Sequence, residues 1–258
     1  MKFYKSGDQS KPVIFLFPGT CCLYSSFDHV LEGLHVYFYT VAISYDGFDP
    51  NENTQFYSME EECEKIEKEI MDHYGGRIKA AYGCSLGGSF VSLLIQRKRI
   101  HMDHGIIGSS DMDEAGKVMA TIQASIVTPI MYKMVHTETL PKFMEKKIAQ
   151  MDDSKKKLVN GFLDMFGLGG SWITKKSIYN QFYSDLVTKV QHNMDVPNTK
   201  IHVFYATKMG KKYEKRYYTY FKNPDIHRFN MQHEELFCCH GNKWIEEVRN
   251  VVIGDVGL

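Results

Sequence analysis

The sequence has no surplus of charge of either sign: 31 Lys and Arg balance 31 Asp and Glu over 258 residues. Nucleic acid and anionic membranes therefore have no electrostatic claim as partners. It also has no C-x-x-C. The six cysteines are Cys21, Cys22, Cys63, Cys84, Cys238 and Cys239, four of them in adjacent pairs. That fits neither a disulfide framework nor a zinc site. Buried thiols in a reducing cytoplasm are expected instead. No apolar stretch approaches the length of a membrane span. Residues Met1–Asp8 lack the apolar core of a signal peptide, so no secretory leader is expected. Internal repeats and low-complexity segments are absent, and no metal site or organic cofactor is indicated. Nothing in the sequence sets the oligomeric state.

What is present is ordinary for a globular chain: 43% hydrophobic and 24% charged residues. The length fits one large α/β domain or a domain carrying an insertion. Pro12–Phe17 is a continuous apolar run, as a strand buried on both faces requires, and Pro18-Gly19 ends it. A short helix over 27–34 and an aromatic, β-branched strand over 36–44 follow. Ser58-Met59-Glu60-Glu61 opens a helix as a capping box, and Gly75-Gly76 closes it. A strand to Tyr82, a helix to about Lys98 and a strand over 104–110 come next.

From about Asp113 to Asn198 the pattern changes to helices with charged faces. Their apolar stripes include Phe143-Ile148 and Leu158-Phe162-Met165, and Gly167-Leu168-Gly169-Gly170 interrupts them. Strands return at 200–206 and 226–231, with helices over 211–221 and 234–252. Strands alternating with helices predict a mostly parallel sheet covered by helices on both faces. The helical stretch is too long for a simple crossover, so it predicts an inserted cap over 112–198 on a core of 1–111 and 199–258. Methionines of this stretch, from Met112 to Met165, either line an adaptable apolar pocket or pack the cap's own core.

The chemistry centres on Gly83-Cys84-Ser85-Leu86-Gly87, a G-x-S-x-G at the junction of a strand and a helix. Such a turn is sharp and strained. It lifts the serine Oγ clear of the sheet toward the positive end of the helix. The N–H of Leu86 is then a candidate oxyanion donor. A second donor is expected from Thr20 or Cys21 in the loop after Pro18-Gly19. A nucleophilic serine needs a base. Of the eleven histidines, His233 lies where a late strand gives way to the last helix. His202 and His227 fall inside strands.

The order of apolar strand, Pro-Gly loop, G-x-S-x-G elbow, helical insert, strand and C-terminal histidine resembles the α/β-hydrolase superfamily over nearly the whole chain. The resemblance implies a serine esterase or related acyl hydrolase. Ser85 would attack a small-molecule acyl substrate, with His233 relaying the proton through an acyl-enzyme. The acid departs from the family pattern. It usually follows the strand after the cap, but Tyr205–Gly210 has no carboxylate there. A variation within the superfamily places it one strand earlier, which implies Asp111. Asp111 is equally suited to cap the first helix of the insert. Asp113 and Glu214 stand as alternative acids. The same site would serve acyl transfer, and a hydrolase-like scaffold that binds a ligand without turnover is the third reading.

Overall fold

In this computed structural model, residues 1–137, 142–166 and 170–254 are described. The predicted break at Gly167–Gly169 and the side chains of Phe143 and Met144 lie outside them. The elements run β1 (Lys2–Ser6), β2 (Val13–Phe17), α1 (Asp28–His35), β3 (Tyr39–Ser44), α2 (Met59–Tyr74), β4 (Arg77–Gly83), α3 (Leu86–Arg97) and β5 (His101–Ile107). Four helices come before the next strand: α4 (Lys117–Val135), α5 (Lys142–Ala149), α6 (Asp153–Met165) and α7 (Lys175–Val187). The chain then completes β6 (Lys200–Ala206), α8 (Lys211–Tyr220), β7 (Asp225–Phe229), α9 (Glu235–Cys239) and α10 (Gly241–Ile253).

The seven strands form one sheet in the order β1-β3-β2-β4-β5-β6-β7. Among the described strands, only the β1–β3 pair is antiparallel. The remaining pairs, from β3–β2 across to β6–β7, are parallel. Alternation along each strand divides the core. Phe15, Phe17 and Ala81 face α2 and α3, while Ile14, Leu16, Ala80 and Tyr82 face α1 and α10. Trp244 of α10 is fully buried edge-on to Tyr82, with ring centroids 4.6 Å apart. The expected α/β architecture, a mostly parallel sheet with helices on both faces, is thus the observed one.

Local signals account for several boundaries. Ser58 accepts a hydrogen bond from the Glu61 N–H at 3.2 Å, and Gly75 takes the left-handed conformation that ends α2. One strand is additional to those expected, and two expectations need correction. Strand β1 lacks strict alternation, although Ser6-Gly7-Asp8 ends it as a turn, and its place is set by pairing with β3. The single helix expected over 234–252 is two helices, broken at His240. Lastly, α4 is long and apolar enough by length and composition to cross a membrane, the one such helix among the described residues. Its apolar residues are interleaved with Thr, Gln, Ser and Pro, so no continuous run marks it. Ala120, Ala124 and Thr128 form its buried stripe, and α7 is its main neighbour. Ile126 and Ile130 lie exposed.

Candidate active site

Strand β4 delivers Ser85 into the turn and α3 leaves it. Ser85 has φ 49° and ψ −113°, in the left-handed half of the map that residues with a side chain rarely occupy. The turn is possible because its flanks are glycine. A Cβ on Gly83 would stand 2.1 Å from the Gly87 backbone, and one on Gly87 would stand 2.2 Å from the Phe17 carbonyl oxygen. The Cys84 N–H donates to that same carbonyl at 3.0 Å, locking the elbow to β2.

His233 follows β7 and points its Nε2 at Ser85 Oγ, 3.2 Å away. Phe162 of α6 lies parallel to the imidazole, with centroids 6.2 Å apart. The next residue, Glu234, fixes the loop that carries His233. It takes the left-handed conformation, is only 2% exposed, and tucks its carboxylate under the elbow. Its Oε1 accepts from the Ser85 and Ser109 N–H groups, both at 2.8 Å, and its Oε2 accepts from the Tyr82 hydroxyl at 3.3 Å. The candidate nucleophile and the loop of the candidate base are therefore tied together from behind by one buried carboxylate. Glutamate next to a histidine carries no sequence signal for such a task. Glu234→Ala leaves three donors without this acceptor and is expected to cost about 2–5 kcal/mol of stability in urea melts. Glu234→Gln keeps an acceptor for the two N–H groups and should lose less than half as much. An alanine variant as stable as the native chain would remove this role.

The candidate oxyanion donors separate. The Cys21 N–H is already bonded to Gln181 Oε1 of α7 at 2.8 Å, and Cys21 is fully buried. This corrects the equal standing of Cys21 with Thr20. The Thr20 and Leu86 N–H groups make no hydrogen bond among the described residues. A hydrogen bond from the Cys22 N–H to the Gly19 carbonyl, at 3.1 Å, closes the loop into a turn. Thr20 lines the same cavity as Ser85.

The three candidate acids also separate. Glu214 is held by Arg228 at 2.6 Å on the surface and is not available to His233. Asp113 pairs with Arg216. Asp111 is not a helix cap, since α4 begins only at Lys117. Its backbone is held by α8, with Arg216 Nη1 donating to the Asp111 carbonyl at 2.7 Å and Tyr217 Oη to that of Ser110 at 2.6 Å. Burial, and then Asp113, push its carboxyl above the usual range, with His233 pulling the other way. Even so, no carboxylate among the described residues lies within 4.0 Å of a His233 nitrogen. Ser85 and His233 are in contact, and the Asp111 carboxyl stands near His233 without an ion pair to it.

A cavity of about 310 Å³ opens over Ser85. Its wall combines Ala124, Val127, Phe182 and Leu186 with Gln123 and the carboxyls of Asp111, Asp113 and Asp185. Among the described residues, no methionine from Met112 to Met165 lines this cavity, and α4 and α7 supply apolar surface through other side chains. Asp185 escaped the sequence reading because it lies on the helical stripe of α7 among residues spaced for packing. Burial first, then the neighbouring Asp111, raise its carboxyl from 3.8 to about 7. Between those values the folded chain holds a proton that the unfolded chain releases. Stability contributed here is present at low pH and lost as pH rises through that window, by at most about 1.4 kcal/mol per pH unit. Asp185→Asn is expected to abolish that loss, read as the difference between urea melts at about pH 5 and about pH 8. Equal slopes for both chains would contradict it.

No protein-family model and no curated protein matches the sequence. Solved structures do. A Desulfitobacterium hafniense protein described as an alpha/beta hydrolase family member superposes with a TM-score of 0.76 at 16% identity, covering 97% of this chain and 99% of its own. The enol-lactonase from Burkholderia xenovorans LB400 reaches 0.67 at 12% identity, covering 98% and 96%. A marine microorganism esterase reaches 0.67 at 15% identity, covering 96% and 97%. These likenesses run the full length of both partners, and with the seven-stranded sheet they establish that the chain has the α/β-hydrolase fold.

Proposed function

We propose that this chain is a serine hydrolase acting on uncharged carboxylic esters or related acyl substrates. The observation that carries the reading is Ser85 Oγ on a strained elbow, 3.2 Å from His233 Nε2. His233 takes the Oγ proton as Ser85 attacks the carbonyl carbon. The oxyanion is met by the Leu86 and Thr20 N–H groups, aimed where charge develops. Collapse expels the alcohol, protonated by His233, and leaves an ester on Ser85. Water, deprotonated by His233, then releases the acid. Asp111 turns toward His233 Nδ1 and orients the imidazole. Residues 112–198 act as a cap whose α4 and α7 shape the acyl pocket. Esters and lactones, which the names of two fold neighbours point to, are the substrates we assign to this pocket.

A fluorophosphonate probe should label the native chain at Ser85 and leave Ser85→Ala unlabelled. Labelling that persists in the variant removes the proposal. The second reading, a hydrolase-like scaffold that binds without turnover, is favoured by the unpartnered approach of His233 to any carboxylate. It predicts no label in either chain.

Asp113 in the pocket wall is paired with Arg216, but Asp111 and Asp185 make no ion pair among the described residues, and these two carboxyls also set a preference. Substrates with a free carboxylate on the acyl chain face like charge in a partly dry cavity. An ester bearing a terminal carboxylate should show a kcat/KM at least about tenfold below that of its methyl-capped analogue, a difference of about 1.4 kcal/mol. Equal values would show that the acyl chain does not lie along this wall.

A further inference from the structure

Three side chains that the site above does not use meet at the opposite end of the sheet. His202 is near the start of β6, directly across from Asp225 in the β6–β7 register. Asp225 and His227 are two apart on β7, so the pleat turns both to the same face as His202. His202 Nδ1 and His227 Nε2 each stand 3.1 Å from Asp225 Oδ2. One potential ligand atom from each residue lies within 4.8 Å of the others. We propose that His202, Asp225 and His227 form a three-ligand site for a divalent transition-metal cation of the Zn²⁺ type.

The geometry suits that ion. Zn²⁺ binds imidazole nitrogen and carboxylate oxygen at about 2.0–2.2 Å in a tetrahedron, which places neighbouring ligand atoms about 3.3 Å apart. The two 3.1 Å separations are close to such edges. The set is imidazole and carboxylate, the donors that borderline divalent ions accept. A cavity of about 460 Å³ beside His202 and Asp225 gives an entry path and room for water at the fourth position.

A second layer is also in place. Buried His104 of β5 sets its Nδ1 3.1 Å from His202 Nε2. When His202 Nδ1 holds the cation, its Nε2–H donates to His104, which fixes the ring and its tautomer. Binding needs only a change of tautomer at the two ligating histidines. The bound cation would pin β7, the edge strand that leads to His233, to β6.

Co²⁺ reports coordination through its visible absorption, so it is the probe. Chelator-treated, desalted full-length chain titrated with Co²⁺ should show tetrahedral-type absorption that saturates at one equivalent and is displaced by Zn²⁺. Asp225→Asn and His227→Gln alter exposed or half-buried side chains, and their folds are checked by metal-free melting. Each should weaken binding by more than about tenfold, the least that loss of even an outer partner costs. Failure of the native chain to bind one equivalent overturns the proposal. So does binding that survives in both variants, since the cation would then sit elsewhere. Ser85→Ala should bind Co²⁺ like the native chain.

Discussion

Ser85→Ala lowers kcat by about 10⁵–10⁶-fold in the expected result, with binding of the substrate retained. The size follows from what is removed. Ser85 Oγ stands 3.2 Å from His233 Nε2, on a backbone conformation that residues with a side chain rarely adopt. His233→Ala should cost nearly as much, because an undeprotonated serine is a poor nucleophile. The double variant should be no worse than either single one, since the two residues act as a unit. The residual rate comes from the Leu86 and Thr20 amides and from the pocket. Steady-state and single-turnover kinetics on a short acyl ester check all three. If the losses multiply in the double variant, nucleophile and base do not work together, and the assignment of one of them fails.

The second large effect is expected from Asp111→Asn, a fall in kcat of about 10⁴-fold. An asparagine keeps the shape but offers His233 the wrong tautomer and no charge for the imidazolium. Asp111 is selected by exclusion and by position. Glu214 is engaged by Arg228, Asp113 by Arg216, and the Asp111 backbone is held from α8 by Arg216 and Tyr217. Glu214→Gln and Asp113→Asn should therefore stay within about tenfold of native. A pH profile gives an independent readout. Burial and Asp113 raise the Asp111 carboxyl, so the acid limb it governs should sit above the usual carboxylate range and vanish in Asp111→Asn. A native kcat in Asp111→Asn would show that His233 works without this carboxylate.

The order of elements was legible because each carried its own physics. Pro12–Phe17 is apolar without a break, as only a doubly covered strand can be, and Ser58 with Gly75 marked both ends of α2. Other features were not legible. Strand β1 exists because β3 offers it an edge, and the break at His240 shows only in the packing of α9 and α10. Gln181 caps the Cys21 amide across 160 residues of sequence, a contact that no local pattern encodes.

The elbow itself was determined by sequence alone. A serine between glycines, after a strand and before a helix, has one steric solution, and Gly83 and Gly87 are the residues whose side chains would collide. The position of His233 also followed from chain order. Tertiary structure decided the rest. It gave the Cys21 amide a partner in Gln181, and it gave Glu214 a partner in Arg228. It also set Glu234 beneath Ser85 and gathered His202, Asp225 and His227 at the far end of the sheet. The reason is common to all four. Sequence fixes what each backbone segment can do, but a hydrogen bond or an ion pair belongs to groups far apart in the chain and exists only once the sheet has brought them together.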